Sequence, residues 1–76
     1  MAPPKKTQPI QSAYIDRLRA LDMDDFERAS ETVAEVCDAV LESLLRGKIS
    51  GEERTAVMRE ANRVIRELMR RNIKRQ

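Results

Sequence analysis

The 76-residue sequence predicts an all-α protein, in which a short N-terminal helix is followed by a long antiparallel helical hairpin. Three observations support this fold class. Apolar residues recur at spacings of three and four in three stretches, residue types that begin and end helices bound those stretches, and no stretch alternates apolar with polar residues as a half-buried strand would. We expect a single helical domain over residues 9–76, with helices at about 9–20, 23–46 and 51–74.

The first helix is expected to follow a tail. Residues 1–8 contain Pro3, Pro4, Lys5 and Lys6 without any apolar period, which predicts a disordered basic segment. Pro9 is tolerated in the first turn of a helix. The apolar face of this helix is expected at Ile10, Tyr14, Leu18 and Leu21.

Capping residues delimit the two long helices. With Asp22 as the N-cap of the second helix, Leu21 and Phe26 would form a hydrophobic staple. Gly47 is expected to end that helix, since glycine adopts the left-handed conformation easily. Ser50 and Glu53 fit the S-x-x-E capping box of the third helix. The loop between the helices is short, and the two must therefore run antiparallel.

The apolar faces of the long helices are wider than the contact between two helices requires. A second copy of the hairpin would cover the excess, so we expect a homodimer that forms a helical bundle. The alternative is a groove that receives a foreign helix. The residues expected in the core and dimer face are Val33, Val36, Cys37, Val40, Leu44, Val57, Ala61, Val64 and Leu68.

Charge is segregated along the chain although the net charge is only +2. Residues 22–46 carry eight acids against two arginines, and residues 47–76 carry nine bases against four glutamates. The basic ridge of the third helix is defined as Arg59, Arg63, Arg66, Arg70 and Lys74. The acidic ridge of the second helix is defined as Glu27, Glu31, Glu35, Asp38 and Glu42. At about 100° per residue each ridge falls well away from its own apolar face, and we expect both on outer surfaces.

The composition argues against catalysis and against bound cofactors or metals. The chain has no histidine, two glycines and one cysteine, which leaves no recognisable acid–base pair, phosphate loop or zinc ligand set. Cys37 lies among apolar residues and is expected to be a packing residue. We expect no membrane span, no small-molecule substrate and a cytoplasmic location.

The leading functional prediction is a small non-enzymatic regulatory or adaptor protein that docks on an acidic protein surface through the basic ridge. The first alternative is weakly sequence-specific binding of nucleic-acid phosphates by the same ridge, as in a small transcription, plasmid or phage regulator. The second alternative is a structural assembly subunit in which acidic and basic ridges pair between copies.

Overall fold

A computed structural model describes residues 12–75, with side chains through Ile73. Its helices are α1 (Ala13–Arg19), α2 (Phe26–Leu45) and α3 (Gly51–Arg75). The predicted fold class, a short first helix followed by a hairpin of two long packed helices, is confirmed. The first helix, predicted at 9–20, begins only at Ala13, because Ser12 is extended and acts as its N-cap. The predicted tail and Ile10 lie outside the described residues.

Helix α1 packs against both long helices. The side chain of Ser12 caps it by accepting a hydrogen bond from the backbone N–H of Tyr14 at 3.2 Å. Leu18, only 1% exposed, and Ile15 are buried in the core, whereas Tyr14 and Leu21 are half-buried against it. The predicted face omitted Ile15, because a helix that contacts two neighbours buries a wider arc than a single stripe.

Helix α2 begins three residues later than predicted. Its N-cap is Asp25, whose Oδ1 accepts a hydrogen bond from the backbone N–H of Arg28 at 3.3 Å. Asp22 was the wrong N-cap. Its carboxylate instead accepts from the backbone N–H two residues on, at 3.0 Å, and stabilises the preceding turn. Leu21 and Phe26 therefore do not occupy the staple positions, although both pack against the core.

The hairpin turn has the predicted capping. Gly47 has φ +72°, and its N–H donates to the carbonyl of Leu44 at 3.0 Å, while the next N–H donates to the carbonyl of Ser43 at 2.8 Å. These two bonds form a Schellman motif. Ser50 Oγ then accepts from the backbone N–H of Glu53 at 3.0 Å and starts α3. Both predicted caps are confirmed.

The core between α2 and α3 consists mainly of valine. Each buried valine or leucine contributes roughly 1.5–3 kcal/mol to stability. Of the nine residues expected in the core and dimer face, Cys37 and Leu44 are half-buried and the other seven are buried within the single chain. The buried residues of the hairpin are Ala29, Val33, Val36, Val40, Val57, Ala61, Val64 and Leu68.

The described interior is apolar apart from Ser12. In the described part of the chain, every buried side-chain nitrogen or oxygen has a hydrogen-bond partner. The same residues include no cluster of three histidine, cysteine or acidic side chains placed to hold a metal. None of the described helices combines the length and the apolarity needed to cross a membrane.

Candidate protein interface on the uncovered face of the hairpin

Helix α1 lies on one face of the α2–α3 hairpin, which we call the covered face. Leu18 is inserted into the core from this side. Tyr14 Oη and Ser43 Oγ are hydrogen-bonded at 2.9 Å, which links α1 to α2. Arg19 Nε lies 3.8 Å from a carboxylate oxygen of Glu60 on α3. The covered face is thus closed by apolar contacts and by polar links to both long helices.

The opposite face is not covered by any described residue and contains an apolar groove between α2 and α3. The groove consists of two depressions that meet at Cys37. The first is lined by Phe26, Ser30, Val33, Ala34, Cys37, Ile65, Leu68 and Met69. The second is lined by Cys37, Asp38, Val40, Leu41, Arg54 and Met58. We call both together the apolar groove. It follows the length of the hairpin.

Large apolar side chains are left in solvent along this face. Leu41 is 52% exposed, Ile65 38% and Met69 56%. Helical phase places Leu45 and Ile73, also exposed, at the two ends of the same face. A contiguous apolar surface with charged borders is characteristic of an interaction site in a small protein. The sequence carried the signal, since these residues widen the apolar faces, but the expected site omitted them in favour of residues that form the core.

Charged residues of opposite sign border the groove on its two sides. Of the acidic ridge on α2, Glu27, Glu31 and Asp38 are the residues nearest in helical phase to the groove-lining side chains. Of the basic ridge on α3, Arg59 and Arg66 are the nearest. At about 100° per residue, the other described ridge residues lie further round their helices. We call the first set the acidic rim and the second set the basic rim.

Two members of the basic ridge are neutralised on their own helix. Arg63 Nε lies 3.1 Å from Glu60 Oε2, and Arg70 pairs with Glu67. The four described ridge arginines are all exposed, as predicted, while the side chain of Lys74 lies outside the described residues. The two arginines of the basic rim, in contrast, have no ion pair within the described part of the chain. The net positive charge along the basic ridge is therefore lower than its five basic residues indicate.

The acidic ridge likewise contains residues with an ion pair and residues without one among the described residues. All five of its residues are exposed, as predicted. Glu35 pairs with Arg17 of α1 at 3.5 Å, and Glu42 pairs with Arg46 at 2.9 Å. The three members of the acidic rim have no ion pair among the described residues. On both helices the ridge charges without a partner are those next to the groove.

A network at the outer side of α3 accounts for the neutralised charges. Glu67 accepts hydrogen bonds from Arg71, at 3.0 Å, and from Arg70, and these bonds lower its pKa. The bond to Glu67 is also the main cause of the raised pKa of Arg71. Arg71 Nη1 reaches Asp24 Oδ1 at 2.8 Å, which ties the α1–α2 turn to α3. The sequence indicated the Glu67–Arg71 pair by its spacing, but the contact with Asp24 depends on the tertiary fold.

Cys37 lies at the junction of the two depressions and is half-buried. Burial, and secondarily the charge of Asp38, raises the pKa of its thiol. A neutral thiol is a poor nucleophile. Cys37 therefore contributes apolar surface to the groove.

Comparisons with known proteins return no match. No protein family, no curated protein and no solved structure matches this chain.

Proposed function

We propose that this chain is a small non-enzymatic regulatory or adaptor protein that acts by protein–protein interaction, with the apolar groove and its two rims as the docking surface. The observation that carries the proposal is the continuous exposure of Leu41, Ile65 and Met69 on the face opposite α1. The basic ridge, the site expected from sequence, contributes its two rim arginines to this surface.

A protein partner suits this surface better than a phosphate backbone does. Apolar side chains in the centre and charges at the border are the usual arrangement of a protein interface. Nucleic acid would be repelled by the acidic rim, and the groove has no exposed aromatic side chain on which a base could stack. Phe26, the one phenylalanine, is half-buried against the core.

The single cysteine of the chain suits a reducing compartment, and for that reason we propose a cytoplasmic location.

Site-specific photo-crosslinking tests the proposal. A photoreactive amino acid at Met69, in the groove, is expected to give protein adducts in the native host, and the substitution Ile65→Glu is expected to abolish them. The matched control carries the photoreactive group at Glu35, which pairs with Arg17 of α1 and so lies toward the covered face. Equal adducts from both positions, or adducts that Ile65→Glu does not affect, would exclude the groove as the docking surface.

Direct nucleic-acid binding is the second candidate, because Arg59 and Arg66 are exposed without ion pairs in the described residues. This function predicts binding to random duplex that weakens steeply with salt. It also predicts that replacing Arg63, Arg66 and Arg70 together by glutamine abolishes binding. Affinity for duplex that does not depend on salt, or on these arginines, would exclude it.

A further inference from the structure

We propose that the occupant of the apolar groove is a second copy of this chain, related by a two-fold axis parallel to the helices, so that α2 of each copy packs over α3 of the other. The inference rests on the proposed function, in that it takes the groove as a protein interface and names the partner. The two hairpins then form a four-helix bundle of two layers, with one α1 on each outer side.

The two rims of the groove carry charges of opposite sign. One rim is acidic and lies on α2, and the other is basic and lies on α3. Two hairpins can meet face to face around a two-fold axis in two ways. An axis across the helices places α2 on α2, and sets acid against acid and base against base. An axis along the helices places α2 on α3, and sets each acidic rim against a basic rim. Charge complementarity selects the second arrangement.

The positions of the charges along the hairpin also agree with this arrangement. Asp38 and Met58 line the same depression, so Asp38 is at the level of the neighbouring Arg59. Phe26 and Met69 line the other depression, which places Glu27 at the level of Arg70.

Glu31 and Arg66 lie between these two levels. An axis along the helices preserves the level of each residue. It therefore brings Asp38 to Arg59 and Glu31 to Arg66 of the second copy, and symmetry repeats both pairs.

The same arrangement explains which charges lack partners within the chain. Ridge residues away from the groove, such as Glu35 and Arg63, are paired internally. Asp38, Glu31, Arg59 and Arg66 have no ion pair in the described part of the chain, and they are the residues that the second copy would pair. A foreign helix in the groove would have to supply both signs on its two sides. A second copy supplies them by symmetry.

Charge reversal tests the proposal without touching the core. Glu31→Lys and Arg66→Glu each create two repulsive contacts in the homodimer and are expected to weaken it by about tenfold or more. Mixing the two variants restores both contacts, since the new positive charge at position 31 of one copy then faces the new negative charge at position 66 of the other. The mixture is therefore expected to form heterodimers in preference to either homodimer, measured by native mass spectrometry. Glu35→Lys, the same charge change on the side of α2 that faces α1, is the control and is expected to leave dimerisation nearly unchanged.

The outcomes separate this inference from the function on which it rests. Homodimers of Glu31→Lys as strong as the wild type, or a mixture without preferential heterodimers, overturn the proposed geometry. A wild-type chain that stays monomeric up to millimolar concentration overturns the second copy as occupant. If the Met69 photo-adduct then consists of another protein and still depends on Ile65, the proposed function survives alone. If no adduct depends on Ile65, both proposals fail.

Discussion

The two faces of the hairpin are formed by the same two helices, yet α1 packs on only one of them. The covered face carries α1, with Leu18 inserted to 1% exposure and with polar links to α2 and α3. The uncovered face leaves Leu41, Ile65 and Met69 between 38% and 56% exposed. Its bordering charges have no ion pairs in the described residues, whereas Arg17 and Arg19 of α1 both have acidic partners.

This difference is the basis of the proposal that the uncovered face binds another molecule. A three-helix protein of this size has few apolar residues to spare, and stability falls steeply when several remain in water. Helix α1 has only seven residues and can cover one face. The other face has apolar side chains at its centre, as in a protein interior, and charged side chains at its edges, as on a surface. Protein interfaces have this arrangement.

The largest expected effect compares one leucine on each face. Leu18→Ala removes a fully buried side chain and is expected to lower the free energy of unfolding by about 2–5 kcal/mol. Leu41→Ala is expected to cost less than about 1 kcal/mol at concentrations where the chain is monomeric, because Leu41 is half in water already. Urea unfolding monitored by circular dichroism measures both. Equal losses would show that the two faces do not differ as described.

A medium effect is expected at the polar link of the covered face. Tyr14→Phe removes the hydroxyl that is bonded to Ser43 at 2.9 Å, and should cost about 0.5–1.5 kcal/mol. Ser43→Ala is the matched partner in a double-mutant cycle, and a non-additive result is expected because the two hydroxyls satisfy each other. Strict additivity would mean that the bond does not hold α1 on the hairpin.

A similar effect is expected at the cap of α3. Ser50→Ala removes the hydroxyl that accepts the N–H of Glu53 and should cost about 1 kcal/mol. Ser30→Ala is a suitable control, since Ser30 lies within α2 and lines the groove rather than capping a helix. An undiminished midpoint of thermal unfolding for Ser50→Ala would contradict the capping geometry.

The smallest expected effect concerns pH. Hydrogen bonds from Arg71 and Arg70 lower the pKa of Glu67 in the folded chain. The stabilisation from this group is therefore present above the ordinary glutamate pKa and is lost as the pH falls through the lowered folded value. Glu67→Gln should therefore flatten the acid side of the stability profile slightly relative to the wild type. A profile of Glu67→Gln that coincides with that of the wild type would argue against the network.

Much of the fold could be predicted from the sequence because its signals are local. Gly47 and Ser50 mark a helix end and a helix start, and the chain bonds there as the capping rules require. The start of α2 was misplaced because Asp22, Asp24 and Asp25 share the same capping chemistry. Only the packing of the turn decides between them, and Arg71 takes part in that packing by reaching Asp24 across the fold.

The site was harder to predict because it depends on what α1 covers. Periodicity shows that Val57 and Ile65 lie on broad apolar arcs, but it does not show that the first is buried and the second exposed. The sequence predicts five outward-facing cations on the basic ridge. Glu60 and Glu67, which fold back onto Arg63 and Arg70, neutralise part of it. Side-chain pairing of this kind depends on which surface remains in water.

Sedimentation equilibrium of the purified chain beside its Ile65→Glu variant tests the central claim most directly. The account predicts that the wild type reaches twice the 8.8 kDa of one chain at micromolar to millimolar concentration. It also predicts that the variant remains at the monomer mass with an unchanged helical circular dichroism spectrum. A wild type that stays at the monomer mass, or a variant that doubles its mass as readily as the wild type, would contradict it.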